Sequence, residues 1–356
     1  MEPVSSASVT EPEDVVWLRA GDALAASARR EAAALARRIG FTDRRIADVS
    51  LAVTEIATNL VRHAEDGAIV LRPSRSDGRV ELECLCLDTG PGMADVAGAV
   101  RDGHSSTGTL GIGLGAIERL ADTFDLHSLP GRGTALLARF RAERPRAASA
   151  DEWGSRPATA GLTRPISGET VCGDTWAVRA AAPADEQEPG PLTVLMCDGL
   201  GHGPLAARVS DRARQIFRET TAEHPRDIVS QLHEGLRGTR GAALAVAQVD
   251  LRAGQVTLCG IGNISAFVVE HDRRSALLSH PGIVGVQMPS ARTYSADLTP
   301  GSALVMHSDG LNQRWSPTDL PGLLTRHPSV IAGQILNQAG LRRDDAGIVV
   351  VPAAHR

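Results

Sequence analysis

Four short aspartate motifs follow one another in the C-terminal half of this 356-residue chain: Gly173-Asp174, Asp198-Gly-Leu-Gly-His-Gly203, Ser308-Asp309-Gly310 and Asp344-Asp345. Carboxylates gathered in a fold repel one another unless protons or cations neutralise them, and hard oxygen ligands select Mg2+ or Mn2+ over softer metals. A pair of such ions activates a bridging water for attack on a phosphate ester. A single Asp-Gly pair is ordinary turn chemistry. Four in series are another matter. Two of them come directly after the strand-like runs 192–197 and 303–307, and the last stands just before Ile348-Val-Val-Val351. His202 and His307 lie beside these motifs and are expected to pack around them rather than to ligate.

A second constellation occupies the N-terminal half. Glu55 and Asn59 are four residues apart, so on a helix they project together. A carboxylate and a carboxamide on one face suit a water and a Mg2+ ion beside a nucleotide. Downstream come Asp88-Thr-Gly90-Pro-Gly92, a glycine run Gly108-Thr-Leu-Gly111-Ile-Gly113-Leu-Gly115, and Gly131-Arg-Gly133-Thr134. Glycines at a helix start expose N–H groups to phosphate, and the helix dipole favours its charge. No Rossmann pattern surrounds them, since the run lacks an immediately preceding strand and a later ribose-binding acid.

The elements that must position these groups are visible in the periodicity. Thr42 caps a predicted helix from Asp43 to about His63, with Ile46, Val49, Val53, Ile56 and Leu60 in one apolar stripe. Residues 80–87 alternate like a half-buried strand and deliver Asp88, and Cys84 and Cys86 fall on one face of it as packing thiols. A helix following the glycine run turns Leu114, Ile117, Leu120 and Ala121 to the core, a lid is expected over residues 93–107, and residues 135–140 form a final strand. His63 and His104 read as surface or packing residues. In the second half, residues 192–196 form a buried strand, and a helix over residues 204–218 has Leu205, Val209, Ala213 and Ile216 at apolar spacing.

Bulk properties narrow the classes. The net charge of −5 gives no broad basis for nucleic-acid binding. No apolar run approaches the ~20 residues of a membrane span, and no basic-then-apolar leader opens the chain, so a cytoplasmic protein without a membrane partner is expected. Five cysteines without metal-type spacing suit reduced core thiols, and Asn263-Ile-Ser265 matches a glycosylation acceptor that has no use without secretion. All 37 basic residues are arginine. That excludes nucleotide sites requiring a lysine, namely the P-loop and the strand-borne lysine of ordinary protein kinases.

The C-terminal motif order resembles the SpoIIE-type branch of the PPM metal-dependent serine/threonine phosphatases over residues 161–353, and Gly168-Glu-Thr-Val-Cys-Gly-Asp174 brings it nearest to the stressosome-resetting phosphatases of that branch. The resemblance implies a β-sandwich flanked by helices and two Mn2+ or Mg2+ ions that serve hydrolysis of phosphoserine or phosphothreonine on a small partner protein. It implies that Asp174 ligates one ion, that Asp198 bridges both with help from the Gly199 carbonyl, and that Asp309 and Asp344 complete the shell, with Asp345 as the alternative to Asp344. Many relatives carry a further acid soon after the first Gly-Asp, where this chain has Thr175-Trp176-Ala177.

The N-terminal series is similar to the GHKL (Bergerat) ATP-binding α/β sandwich over residues 14–141, and within it to the serine-protein kinases and anti-sigma factors of bacterial partner switching, the stressosome switch kinase in particular. This implies that Asp88 bonds the adenine amino group with Thr134 close by, that Asn59 ligates Mg2+, and that the glycines, Gly111 and Gly113 above all, cradle the phosphates of ATP. Glu55 is then the candidate general base. The expected whole is α+β: a disordered tail (1–13), the ATP-binding domain, a linker (142–160) and the phosphatase domain. The expected partners are STAS-domain anti-sigma antagonists or stressosome-type proteins, with a sigma factor or a downstream phosphatase beyond them. The alternative makes the first domain a non-catalytic, ATP-dependent anti-sigma-like binding module. A GHKL chaperone or topoisomerase-like machine would need a transducer domain, and a sensor histidine kinase a phosphotransfer helix, neither of which is found in this sequence.

Overall fold

A computed structural model describes residues 9–10, 15–76, 79–101, 113–143, 159–181, 190–288 and 290–353. They divide into two compact units, one over residues 15–143 and one over residues 159–353 that also takes in residues 9 and 10 as strand β1 (Val9–Thr10).

The first unit runs β2 (Val16–Arg19), α1 (Leu24–Arg38), α2 (Asp43–His63), β3 (Gly67–Ser76), β4 (Arg79–Asp88), α3 (Val96–Arg101), α4 (Gly113–Leu120), β5 (Thr123–Ser128) and β6 (Thr134–Arg141). Its antiparallel sheet has the order β2-β3-β4-β6-β5. The apolar stripes of α1, α2 and α4 cover one face, where Val53, Ile56 and Ile117 meet Leu71, Leu82, Cys84 and Phe140. The helix α2 starts as its cap requires: the Thr42 hydroxyl accepts the Arg45 N–H at 3.3 Å. All five residues of its predicted stripe are buried.

The strand expected to be half-buried is buried on both faces from Glu81 to Leu87. Its acids go inside as ion pairs. Glu83 binds Arg72 and Arg139, each at 2.6 Å, and Glu81 binds Arg141 at 2.7 Å. Neutralised in this way, neither carboxylate is left as an uncompensated buried charge, so the charged alternation marks a paired face and not a wet one.

In the second unit, β7 (Ala160–Arg164), β8 (Asp174–Ala180), β9 (Leu192–Gly199), α5 (Gly203–Glu219), α6 (Pro225–Gly235), β10 (Ala242–Asp250), β11 (Gln255–Ile261), β12 (Ser265–Val269), β13 (Arg274–Leu277), β14 (Tyr294–Asp297), β15 (Ala303–His307), α7 (Pro328–Ala339) and β16 (Ala346–Pro352) follow in order. Two sheets result, β1-β8-β9-β10-β11-β14 and β13-β12-β15-β16-β7. Trp176, Met196, Leu258, Val268, Met306 and Val349 fill the space between them. The helices α5 and α6 lie on the outer face of the first sheet through Val209, Phe217, Ile228 and Leu232, and α7 lies against β7 and β16 of the second.

Two expectations change here. Leu205, placed by spacing on the apolar face of α5, is 48% exposed, and Ala206 and Phe217 face the sheet instead. The tail is not wholly unstructured: Val9 and Thr10 pair with Arg179 and Val178, because an extended β-branched pair meets an open sheet edge. Gly108, Gly111, His104, residues 102–107 of the expected lid and linker residues 144–158 lie outside the described residues.

Candidate metal centre and nucleotide site

The pairing register does the first part of the assembly. Asp174 opens β8 and Asp198, the last residue but one of β9, lies directly opposite it, so two carboxylates from distant motifs become cross-strand neighbours. Asp309 follows β15, and Asp344 precedes β16 next to it in the second sheet. Glycines allow the close approach. A Cβ at Gly199 would run into the Ala206 carbonyl of α5, and one at Gly310 into the Asp345 carbonyl. The Gly199 N–H also donates to the Gly173 carbonyl at 3.1 Å, joining the first two motifs through their backbones.

Burial and mutual repulsion dominate the electrostatics of these carboxylates. Burial raises the Asp174 carboxyl well above its usual range, and the Asp198, Asp345 and Asp309 charges add to the effect while the Ser308 hydroxyl opposes it. Burial and then Asp309, Asp344 and Asp345 push Asp198 up to about 7. Asp344 is raised by burial and by Asp309. Among the described residues no three acidic, imidazole or thiol groups are already closed into a cage. The all-oxygen donor set suits a hard divalent ion.

Two residues have roles beyond those their motifs suggested. Asp345 accepts the Ile166 N–H on Oδ1 at 2.7 Å and the Gly173 N–H on Oδ2 at 2.8 Å, a backbone clamp at the root of the first motif. Ser308 donates its hydroxyl to Asp174 Oδ2 at 2.5 Å and accepts the Gly347 N–H at 2.9 Å. His307 packs: it is fully buried, its ring stacks on Phe267 at 5.8 Å, and burial lowers its pKa to about 4. His202 stays largely exposed, 3.5 Å from Glu169.

These shifts set a prediction for melting. Asp198 has a folded-state pKa above its unfolded one, so below about 7 the folded form holds the extra proton and is favoured; that stability is lost as pH rises through 7. Metal-free protein is therefore expected to melt higher at pH 6 than at pH 8. Mn2+ at ~100 times its dissociation constant adds about 2.7 kcal/mol for one site, roughly 5–10 °C for a domain of this size. Calorimetry of the full chain in Mn2+ and in EDTA checks both, and the gap should be wider at pH 8, where protons no longer compete with the metal.

In the first unit, Asp88 ends β4 opposite Thr134, the first residue of β6. Its Oδ1 accepts the Gly90 N–H at 2.8 Å. Burial raises this carboxyl, against hydrogen bonds from Gly90 and from the Thr134 amide and hydroxyl. Gly92 (φ +68°) and Gly133 (φ +69°) are required as glycines, since a Cβ would strike the Leu129 and Asp88 carbonyls respectively. Ser128, which no motif flagged, knits the two loops: its hydroxyl accepts the Met93 N–H and lies 2.9 Å from the Thr134 hydroxyl. Glu55 and Asn59 are half-buried on α2, and neither side chain is tied by a hydrogen bond to another described residue. Gly113 begins α4 with φ +55°.

A helix-backed antiparallel sheet with a carboxylate and glycine turns at its strand ends defines a GHKL-type nucleotide-binding domain, and the helix-flanked sandwich with aspartates at its rim defines a PPM-type phosphatase domain. Comparison with known proteins agrees on both. The histidine kinase-like ATPase domain matches residues 18–140, and the stage II sporulation protein E (SpoIIE) family matches residues 188–351. The chain is 34% identical over 112 residues to the serine/threonine-protein kinase RsbT of Bacillus subtilis, covering 32% of this chain and 84% of the relative. It is 26% identical over 147 residues to the phosphoserine phosphatase RsbX of the same organism, 41% of this chain and 70% of that one. It is also 31% identical over 113 residues to the anti-sigma F factor of Caldanaerobacter subterraneus, 30% of this chain and 78% of the relative. The chain belongs to the histidine kinase-like ATPase family of RsbT and anti-sigma F through its first domain, and its second is a SpoIIE-type phosphatase domain.

Proposed function

We propose that this chain is a two-way regulator of one phosphorylation event: its first domain phosphorylates a serine or threonine of a STAS-domain partner with ATP, and its second removes the phosphate. The observation that carries the reading is the presence, on one chain, of a nucleotide-type strand end, with Glu55 and Asn59 side chains on α2 that bond no other described residue, and a rim of mutually repelling aspartates. In the second domain Asp174, Asp198, Asp309 and Asp344, with the Gly199 carbonyl, hold Mn2+ or Mg2+, and Asp345 acts through the backbone it clamps. When bound, the ions supply an activated water. In the first domain Asp88 and Thr134 receive the base, Asn59 holds Mg2+, and Glu55 accepts the proton of the attacking hydroxyl.

The second reading, an ATP-dependent binding module without phosphoryl transfer, is favoured by the likeness to anti-sigma F factors. Glu55→Gln separates the two. Removing a positioned base is expected to lower phosphorylation by about 100-fold or more while ATP still binds. The assay is incubation of the full chain with ATP, Mg2+ and a STAS protein, followed by mass spectrometry. Partner capture without any added phosphate in the parent would favour the binding module.

A further inference from the structure

The crossover from β11 to β12 is Gly262, Asn263 and Ile264, and it passes from one sheet to the other at the end of the sandwich that carries the aspartates. Gly262 has φ +96°, and a Cβ there would stand 2.5 Å from the Cβ of Ala243, the residue opposite Asp198. One residue on, the Asn263 amide donates from Nδ2 to Asp309 Oδ2 at 2.6 Å. The meeting follows from the register, because Ser265 opposes His307, so two positions further out Asn263 faces Asp309. This is the same Asn-Ile-Ser triplet that reads in the sequence as a glycosylation acceptor.

We infer that Asn263 is a positioning residue of the phosphatase centre, one that holds Asp309 by a single oxygen, leaves Oδ1 for the cation, and couples the sheet of Asp309 to the sheet of Asp198. The inference rests on the metal reading above. A carboxylate with one oxygen anchored has lost most of its freedom to rotate away from its neighbours, and outer hydrogen-bond partners of this kind tune metal affinity. The residue type matters as much as its place. An amide orients Asp309 without adding charge, and Asp309 already weighs on both Asp198 and Asp344. The glycine before it lets the crossover sit flush on Ala243, so the anchor point is set by backbone packing and not by a mobile side chain.

The test is calorimetric titration of the full-length protein and two variants with Mn2+, alongside melting curves in EDTA. Asn263→Ala is expected to bind Mn2+ about tenfold more weakly, the low end of the range for such partners because the pair is exposed, with its metal-free melting curve unchanged. Asn263→Asp keeps the shape but sets a carboxylate against Asp309. It is expected to melt lower in EDTA and to bind Mn2+ at least as tightly as the parent, since a cation turns that repulsion into ligation. Equal Mn2+ affinity in the parent and Asn263→Ala overturns the role of Asn263, as does weaker binding by Asn263→Asp than by Asn263→Ala. A parent that takes up no Mn2+ overturns the metal reading itself.

Discussion

Asp198→Asn is expected to abolish Mn2+-dependent hydrolysis of a phosphoprotein or an aryl phosphate, a fall of at least about 100-fold, because even groups that only orient a metal's ligands cost 10–100-fold when removed. Asp198 stands opposite Asp174 and feels the charges of Asp309, Asp344 and Asp345, so it is the point at which the two sheets' carboxylates meet. The asparagine keeps the volume and the strand pairing and removes one negative charge. The metal-free protein should therefore melt no lower than the parent, and it should lose most of the Mn2+-induced shift. Turnover near the parent's at saturating Mn2+ would remove Asp198 from the centre.

Asn59→Ala is expected to weaken Mg2+–ATP binding by roughly 10- to 100-fold, the worth of a hydrogen bond or ligand contact to a charged group at about 1.5–3 kcal/mol. Phosphatase turnover should be unchanged, because Asn59 belongs to the other compact unit. Titration calorimetry for ATP and an aryl phosphate assay on the same preparation give both readings, and an unaltered ATP affinity would sink the assignment.

Helix α2 was fully legible, since a threonine cap and a 3.6-residue apolar stripe are local properties that packing then used without change. The order of the aspartate motifs was legible for a similar reason: a strand end followed by glycine is a local event, and four such events in sequence constrain a topology. The failures were of a different kind. The charged alternation of β4 pointed to a wet face because a sequence does not show that Arg72, Arg139 and Arg141 arrive from neighbouring strands to neutralise Glu81 and Glu83. Leu205 fell outside the core because the arc of α5 that packs on the sheet runs through Ala206, Val209, Ala213 and Phe217, the residues that meet Leu195 and Leu244.

By itself, then, the sequence determined which residue types were available for chemistry, the local elements that carry them and the absence of any lysine-dependent nucleotide site. Only the tertiary structure distinguished the surroundings of neighbouring carboxylates. Asp344 and Asp345 are adjacent and chemically identical, yet the second has both oxygens engaged by the Ile166 and Gly173 amides while the first faces Asp309. Asn263 reaches Asp309 through cross-strand register and Ser308 reaches Asp174 through the packing of one sheet on the other, and both are non-local: a pairing such as Ser265 with His307 spans tens of residues of chain. Hydrogen bonds of that origin leave no periodic trace in a sequence, because the partner's position is fixed by packing and not by spacing.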